Sequence, residues 1–338
     1  MWPHPRRYRR RQFIQGSLAL ASLSLLSGCR MTGPGSAPSR IPQVGYLSVG
    51  PDGSSPAVDA FRQGLRELGY VEGQSIGVVY RYAGERADRL ADFAAEFVRA
   101  PVDVIVARGA PAIQAAKDAT RTIPIVFPVS GNPIELGFVE SLARPAGNLT
   151  GLTNLSQHLS SKRLELLKET IQLNDRVAVL WHRDDGGVEL STDELPAAAR
   201  KLQVELLSVE LGTPVDLGRA FDAAAAGHAD AALTLGGPRL VALQGRIAEL
   251  AAERHLPIMY HNREAVEAGG LLAYGANLPD LFRRTATYVH KILGGARPAD
   301  LPVEGPTTFD FSVNLKAAQA LGLAIPESVM KQATEVIQ

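Results

Sequence analysis

From Gln43 onward, short β-branched runs alternate with amphipathic helical segments, and the whole alternation runs through twice. This order constrains the fold more than any single motif. Strands joined by helical crossovers pair in parallel and bury both faces of their sheet. The pattern predicts strands at 44–49, 75–82, 102–107, 123–127 and 149–153 in a first unit. Ser55-Pro56 opens a helix carrying Val58, Phe61, Leu65 and Leu68, which Gly69 stops. Leu90, Phe93, Ala94 and Phe97 mark the apolar face of the next helix, and a third begins at Pro111. A connecting helix at 161–171 leads to a second unit, with strands at 177–181, 204–209, 231–235, 257–260 and 270–273. Its helices fall at about 195–202, 216–226, 239–254 and 263–268. A helix at 280–293 and a strand near 307–311 follow both units, and late segments of this kind cross back to build a multi-stranded hinge. The expected fold is α/β, with two similar open parallel-sheet lobes and a ligand cleft between them.

What precedes this body reads as an address. Residues 1–28 hold Arg6, Arg7, Arg9, Arg10 and Arg11 and no acid, then an apolar run from Phe13 to Leu26. That is the anatomy of an export signal peptide, and fourteen residues at a helical rise fall short of a hydrocarbon core of ~30 Å. Arg10 and Arg11, followed by Gln-Phe-Ile, resemble a twin-arginine export motif. Leu26-Ser27-Gly28-Cys29 resembles a bacterial lipobox, which makes Cys29 the expected lipidation site; the other reading is a buried cysteine behind a plain signal peptide. Residues 29–42 are rich in Gly, Pro and Ser and read as a flexible tether.

Charge and cysteine content exclude several classes. The whole chain balances 35 Lys and Arg against 35 Asp and Glu; without the five leader arginines, 30 basic residues face 35 acids. No basic field for nucleic acid is present. One cysteine in 338 residues excludes an internal disulfide and any Cys-rich metal site. GxSxG, HExxH, P-loop and GxGxxG motifs are all missing, so no enzyme, metal or cofactor is expected. His255 and His261 flank a strand at a spacing ill suited to one metal, and Asp184-Asp185 before Gly186-Gly187 is more simply a turn than an acid–base pair or a pair of metal ligands.

In open parallel sheets, ligands lie beyond the carboxyl ends of the strands. Ser48, Asp52, Ser54, Gly109, Ala110, Ser130 and Asn132 occupy those positions in the first unit. Trp181, His182, Asp184, Gly236, Asn262 and Tyr274 occupy them in the second. Small and polar residues there let a ligand approach backbone N–H groups at helix N-termini. One by one they also serve as turns and caps; as a set they describe a cleft. Trp181 and Tyr274 can each stack on a ligand or pack in the core, and Arg108 either lines the cleft or pairs with an acid at its rim.

Four stretches carry a family resemblance: FRQGLRELGYVEGQ from Phe61, IPIVFPVSGNPIELGFVESLARPAGNLTG from Ile123, GGLLAYGANL from Gly269 and KILGGARPADLPVEGPTTFDFSVNLKAAQALGLAIP from Lys291. Over residues 44–337 the chain resembles ABC-transporter substrate-binding proteins of the tryptophan/tyrosine-transport type. The resemblance implies a periplasmic-binding fold of type I-like lobes with three crossings, residues 43–154 plus 278–304 forming one lobe and 155–277 plus 305–338 the other. It further implies a monomeric, exported, lipid-anchored receptor in the periplasm that closes on a small solute, an aromatic amino acid favoured, and delivers it to an ABC permease in the inner membrane. A sensor lipoprotein feeding a membrane kinase is the alternative, and a periplasmic enzyme a more distant one. The family pattern usually has a hydroxyl residue where this chain has Ala110 and an acid where it has Asn132. Asp52, Asp184 and Asp185 are the acids placed to replace the missing charge.

Overall fold

The computed structural model describes residues 40–50, 55–84, 86–171, 176–182, 194–212 and 216–338. The leader with Arg10, Arg11 and Cys29 lies outside these residues, as do Asp52, Ser54, Asp184 and Asp185. Residues 41–338 make up one unit. Among the described residues no helix is long and apolar enough to cross a membrane.

The first sheet is wholly parallel, in the order β2-β1-β3-β4-β5. Its strands are β1 (Gln43–Ser48), β2 (Gly77–Tyr82), β3 (Val104–Arg108), β4 (Ile125–Ser130) and β5 (Leu149–Thr153). The central strands β3 and β4 are buried on both faces, as the unbroken apolar runs require. On one face Leu47, Ile105 and Phe127 pack under α2 (Arg89–Arg99) and α3 (Ala110–Ala119). On the other, Val44, Tyr46, Val104 and Val106 pack under α1 (Pro56–Glu67) and under α9 (Leu278–Leu293), which arrives from much later in the chain. Ser55 caps α1 as its sequence position predicts, its Oγ accepting from the Val58 N–H at 3.3 Å.

The second sheet has the order β12-β11-β10-β9-β8-β6-β7. The parallel part comprises β6 (Arg176–His182), β7 (Glu205–Leu211), β8 (Ala231–Thr234), β9 (Ile258–Tyr260) and β10 (Leu272–Ala276). Between these strands run α5 (Glu194–Leu202), α6 (Leu217–Ala226), α7 (Pro238–Glu253) and α8 (Arg263–Glu267). One face packs under α4 (Ser156–Thr170), α5, α10 (Leu315–Ala320) and α11 (Glu327–Gln332), the other under α6, α7 and α8.

Two features add detail to the sequence-based expectation. The second sheet is mixed, because β11 (Phe309–Asn314) runs antiparallel to β10 and carries the short edge strand β12 (Glu335–Ile337) beside it. The connecting helix α4 starts at Ser156 rather than 161. Leu155 takes a left-handed conformation, φ 49°, and the N–H groups of Leu155 and Ser156 are satisfied from upstream by Thr153 Oγ1 and Asn154 Oδ1. The polar run Ser156-Gln157-His158 hides that first turn from any apolar periodicity.

Candidate functional site

The chain passes between the two sheets three times: after β5, between β10 and α9, and between α9 and β11. The three segments are bonded to one another. The Thr153 N–H donates to the Glu304 carbonyl at 2.9 Å, and the Asn277 N–H donates to the Thr308 carbonyl at 3.1 Å. Asn277 also reaches Asp310 Oδ1 through Nδ2 at 2.9 Å, and Arg284 of α9 holds the Gly305 carbonyl at 3.0 Å. These crossings join the carboxyl ends of the first sheet to those of the second.

On the first-sheet side, β1 delivers Ser48, fully buried, whose Oγ accepts from the Gly50 N–H at 3.1 Å. Strand β3 ends in Arg108, and Gly109 then turns the chain at φ 91° into α3, so that Ala110 is the first helical residue and no side chain caps the helix. The Arg108 guanidinium lies over the Phe282 ring of α9, 5.4 Å from its centroid. Strand β4 ends in Ser130, buried, its Oγ unpartnered among the described residues. Asn132 turns its Oδ1 onto the Glu135 N–H at 3.2 Å, capping its own turn.

On the second-sheet side the organising group is one that the strand-end rule missed. Arg163 of α4 is only 1% exposed. Its Nε donates to the Tyr274 carbonyl at 2.7 Å, and another guanidinium nitrogen to the Ser156 carbonyl and Ser160 Oγ, both at 3.2 Å. Tyr274 stacks on Phe309 with ring centroids 5.9 Å apart and meets Phe311 edge-on. Burial raises the Tyr274 phenol above its ordinary pKa, with the Arg163 charge opposing. His261 faces Thr234 Oγ1 at 3.4 Å; burial, and after it the Arg163 charge, push its imidazole down to about 3. Ser156 Oγ stands so near Gly236 that a Cβ there would lie 2.4 Å from it. Asn262 donates to Gln244 Oε1 at 3.0 Å, while its Oδ1 is buried without a partner among the described residues.

Ser130, Asn154, Ser156, Gly236 and His261 therefore form one continuous track, with Asn262 next to His261 along the chain. The Asn154 N–H donates to the Ser130 carbonyl at 3.3 Å, its Oδ1 accepts from Ser156, and Ser156 leads through Gly236 to His261. Three polar atoms along it, Ser130 Oγ, Ser156 Oγ and Asn262 Oδ1, are buried and unpartnered among the described residues. Such groups cost about 1–3 kcal/mol each unless something completes them. Trp181 does not join this track: its Nε1 donates to Ser208 Oγ at 2.9 Å and its ring packs on the aliphatic core under α4. His182 is buried at the end of β6, level with Leu211 of the edge strand. Among the described residues no three His, Cys, Asp or Glu side chains are grouped to hold a metal ion. A surface hollow lined by Asp103, Thr122, Pro124, Ile292 and Arg297 lies at the amino ends of β3 and β4, away from the crossings.

Comparison with known proteins gives a consistent result. The family described as "ABC transporter substrate binding protein" matches residues 47–337. A "Tyrosine-binding protein" of Clostridioides difficile (strain R20291) is 26% identical over 273 residues, covering 79% of this chain and 78% of that protein. Among solved structures, a conserved domain protein from Vibrio cholerae superposes with a TM-score of 0.77 at 28% identity, covering 88% of this chain and all of the other. The ABC domain in complex with L-Trp from Streptococcus pneumonia also gives 0.77, at 25% identity, with 88% of this chain and 99% of the other covered.

Proposed function

Because the chain belongs to the family of ABC transporter substrate-binding proteins, we propose that it is the solute receptor of an importer that takes an aromatic amino acid between its lobes and passes it to a membrane permease. The observation that carries this reading is the track of buried, unpartnered oxygens running across the crossings, Ser130 from one sheet, Ser156 on the crossing and Asn262 from the other. A polar solute lying on that track completes hydrogen bonds contributed from both sheets at once, which a single lobe cannot do. The Tyr274–Phe309 stack beside it supplies an aromatic surface, and a relative described as tyrosine-binding and a structure holding L-Trp support a ring-bearing ligand.

The two lobes, 43–154 with 278–304 and 155–277 with 305–338, move as bodies about the three crossings, and the ligand selects the closed arrangement. No nucleophile, base or metal takes part: the protein binds and releases its solute unchanged. Export through the leader, with lipid attached at Cys29, places the receptor at the membrane where a permease waits.

Calorimetry with tryptophan, tyrosine and phenylalanine, paired with thermal melts, tests this. The expected result is one saturable site and, at ligand 100-fold above Kd, a Tm rise of about 4 °C. Ser156→Ala and Tyr274→Ala are each expected to weaken binding without unfolding the protein. No melting shift and no heat with any of the three, in folded protein, overturns the aromatic reading.

A further inference from the structure

Charge at the carboxyl ends of the first sheet is one-sided. Among the described residues that end β1 to β5, and the two that follow each, Arg108 is the only charged side chain. Its guanidinium makes no hydrogen bond and no ion pair among the described residues; its carbon sits over the Phe282 ring, 5.4 Å from the centroid. A guanidinium so placed keeps its N–H donors available to an acceptor. The corner it faces is built from small groups. A Cβ on Gly50 would stand 3.4 Å from an Arg108 terminal nitrogen and 3.5 Å from Ser48 Oγ, so the glycine keeps backbone and guanidinium close.

Behind it, on the same face of the sheet, the Tyr46 hydroxyl is fully buried and unpartnered among the described residues. Burial pushes the Tyr46 phenol far up and the Arg108 charge works against it, which places the two groups within electrostatic reach. The uncapped N-terminus of α3 begins at the next residue but one and adds a positive dipole end. Asn132, two residues beyond the end of β4, spends its side-chain oxygen on its own turn. This wall offers donors and positive charge and no anionic acceptor among its described residues.

We propose that Arg108 is the anchor for an anionic group of the ligand, so that the solute presents a carboxylate to the first lobe and needs no ammonium there. This rests on the reading that a solute is taken between the lobes, and it adds which end faces which lobe. A charge-assisted pair in a partly enclosed corner sets the expected size: removing it costs about 10- to 100-fold in affinity. It follows that aromatic acids lacking the amine are ligands and aromatic amines lacking the acid are not.

The test is a calorimetric matrix of three ligand types on three proteins. The ligands are tryptophan and tyrosine, the amine-free indole-3-propionate and 4-hydroxyphenylpropionate, and the acid-free tryptamine and tyramine. The proteins are wild type, Arg108→Gln and Arg108→Lys, each checked for an unchanged melt without ligand. Wild type is expected to bind the amine-free acids within about 10-fold of the amino acids, and the acid-free amines at least 100-fold more weakly. Arg108→Gln is expected to lose 10- to 100-fold for every carboxylate ligand, and Arg108→Lys less. Amines binding as well as acids to the wild type overturns the proposal, even if the Gln variant fails to fold. So does unchanged carboxylate affinity in folded Arg108→Gln. If the aromatic ligands fail but a wider screen finds a non-aromatic carboxylate whose affinity depends on Arg108, the aromatic reading falls and the anchor stands. If no carboxylate in that screen binds folded wild type, the anchor falls too.

Discussion

Arg163 donates from Nε to the Tyr274 carbonyl at 2.7 Å, fastening the helix that follows the first crossing to the strand that leads into the second. The same buried guanidinium holds the Ser156 carbonyl and Ser160 Oγ, so one side chain fixes the start of α4 against the end of β10. Its acceptors here are carbonyl and hydroxyl oxygens, which need the charge as much as it needs them.

Arg163→Met is therefore expected to leave two buried carbonyls short of a donor and to lower unfolding free energy by about 3 kcal/mol. Urea denaturation followed by tryptophan fluorescence measures this. Arg163→Lys, with one compact head in place of a fork, is expected to recover only part of the loss. A variant as stable as wild type would show that the guanidinium is not what fixes α4.

Gly236→Ala is expected to damage binding more than stability. The new methyl would stand 2.4 Å from Ser156 Oγ and force that hydroxyl to rotate off the track, a movement an end-of-side-chain atom makes cheaply. Calorimetry with the cognate ligand should show a Kd raised several-fold while the Tm moves little. Equal affinity would remove Ser156 from the site.

The depressed pKa of His261 makes a prediction about acid. The folded protein keeps this imidazole neutral down to about 3, whereas the unfolded chain takes up a proton below its ordinary value of about 6.5. More protons are then bound by the unfolded state across that interval, so stability falls as pH drops from about 6.5 towards 3. Between pH 7.5 and pH 5 the contribution is about 2 kcal/mol. Chemical denaturation at the two pH values should show wild type losing that much more than His261→Gln; parallel losses would assign the acid sensitivity to other groups.

Gly64→Ala probes the packing of α9 on α1. A Cβ at Gly64 would lie 2.1 Å from the backbone carbonyl oxygen of Arg283, which cannot swing aside as a side chain can. The helices must separate, at a cost of about 1–3 kcal/mol read from thermal unfolding. Because α9 runs between the second and third crossings, ligand affinity is expected to fall along with stability.

Much of this architecture is legible in the sequence because apolar periodicity is a local property. The first-sheet strands and the helix face of Phe61, Leu65, Phe93 and Phe97 follow from spacing alone. Strand direction is not local: spacing marks a strand near 307–311 after both units but does not show that it lies antiparallel to β10. Strand β12 is three residues long, too short to display an alternation. At the site, the strand-end rule leads to Ser130, Gly236, Asn262 and Tyr274, which lie along or beside the crossings, and to Trp181, which turns instead to Ser208. Arg163 and Ser156 escape the rule because neither ends a strand. A signal for Arg163 does exist: it stands four residues after Leu159 and three and four before Leu166 and Leu167, a lone charge on the buried stripe of α4.

The late arrival of α9 has a consequence for the order in which the protein is made. One face of the first sheet, with Val44, Tyr46, Val104, Val106 and Val126, is covered by α1 and by Leu281, Ala286, Val289 and Ile292 of α9. A ribosome that has finished β5 has supplied every strand of that sheet and only one of the two helices for this face. Until β6 to β10 and then α9 have been translated, the nascent first lobe carries an apolar strip with nothing of its own to lay on it, the kind of surface that holding chaperones take up. Closing the first lobe is thereby tied to translation of the five parallel strands of the second, and a fragment ending after β5 is expected to aggregate rather than to persist as a free lobe.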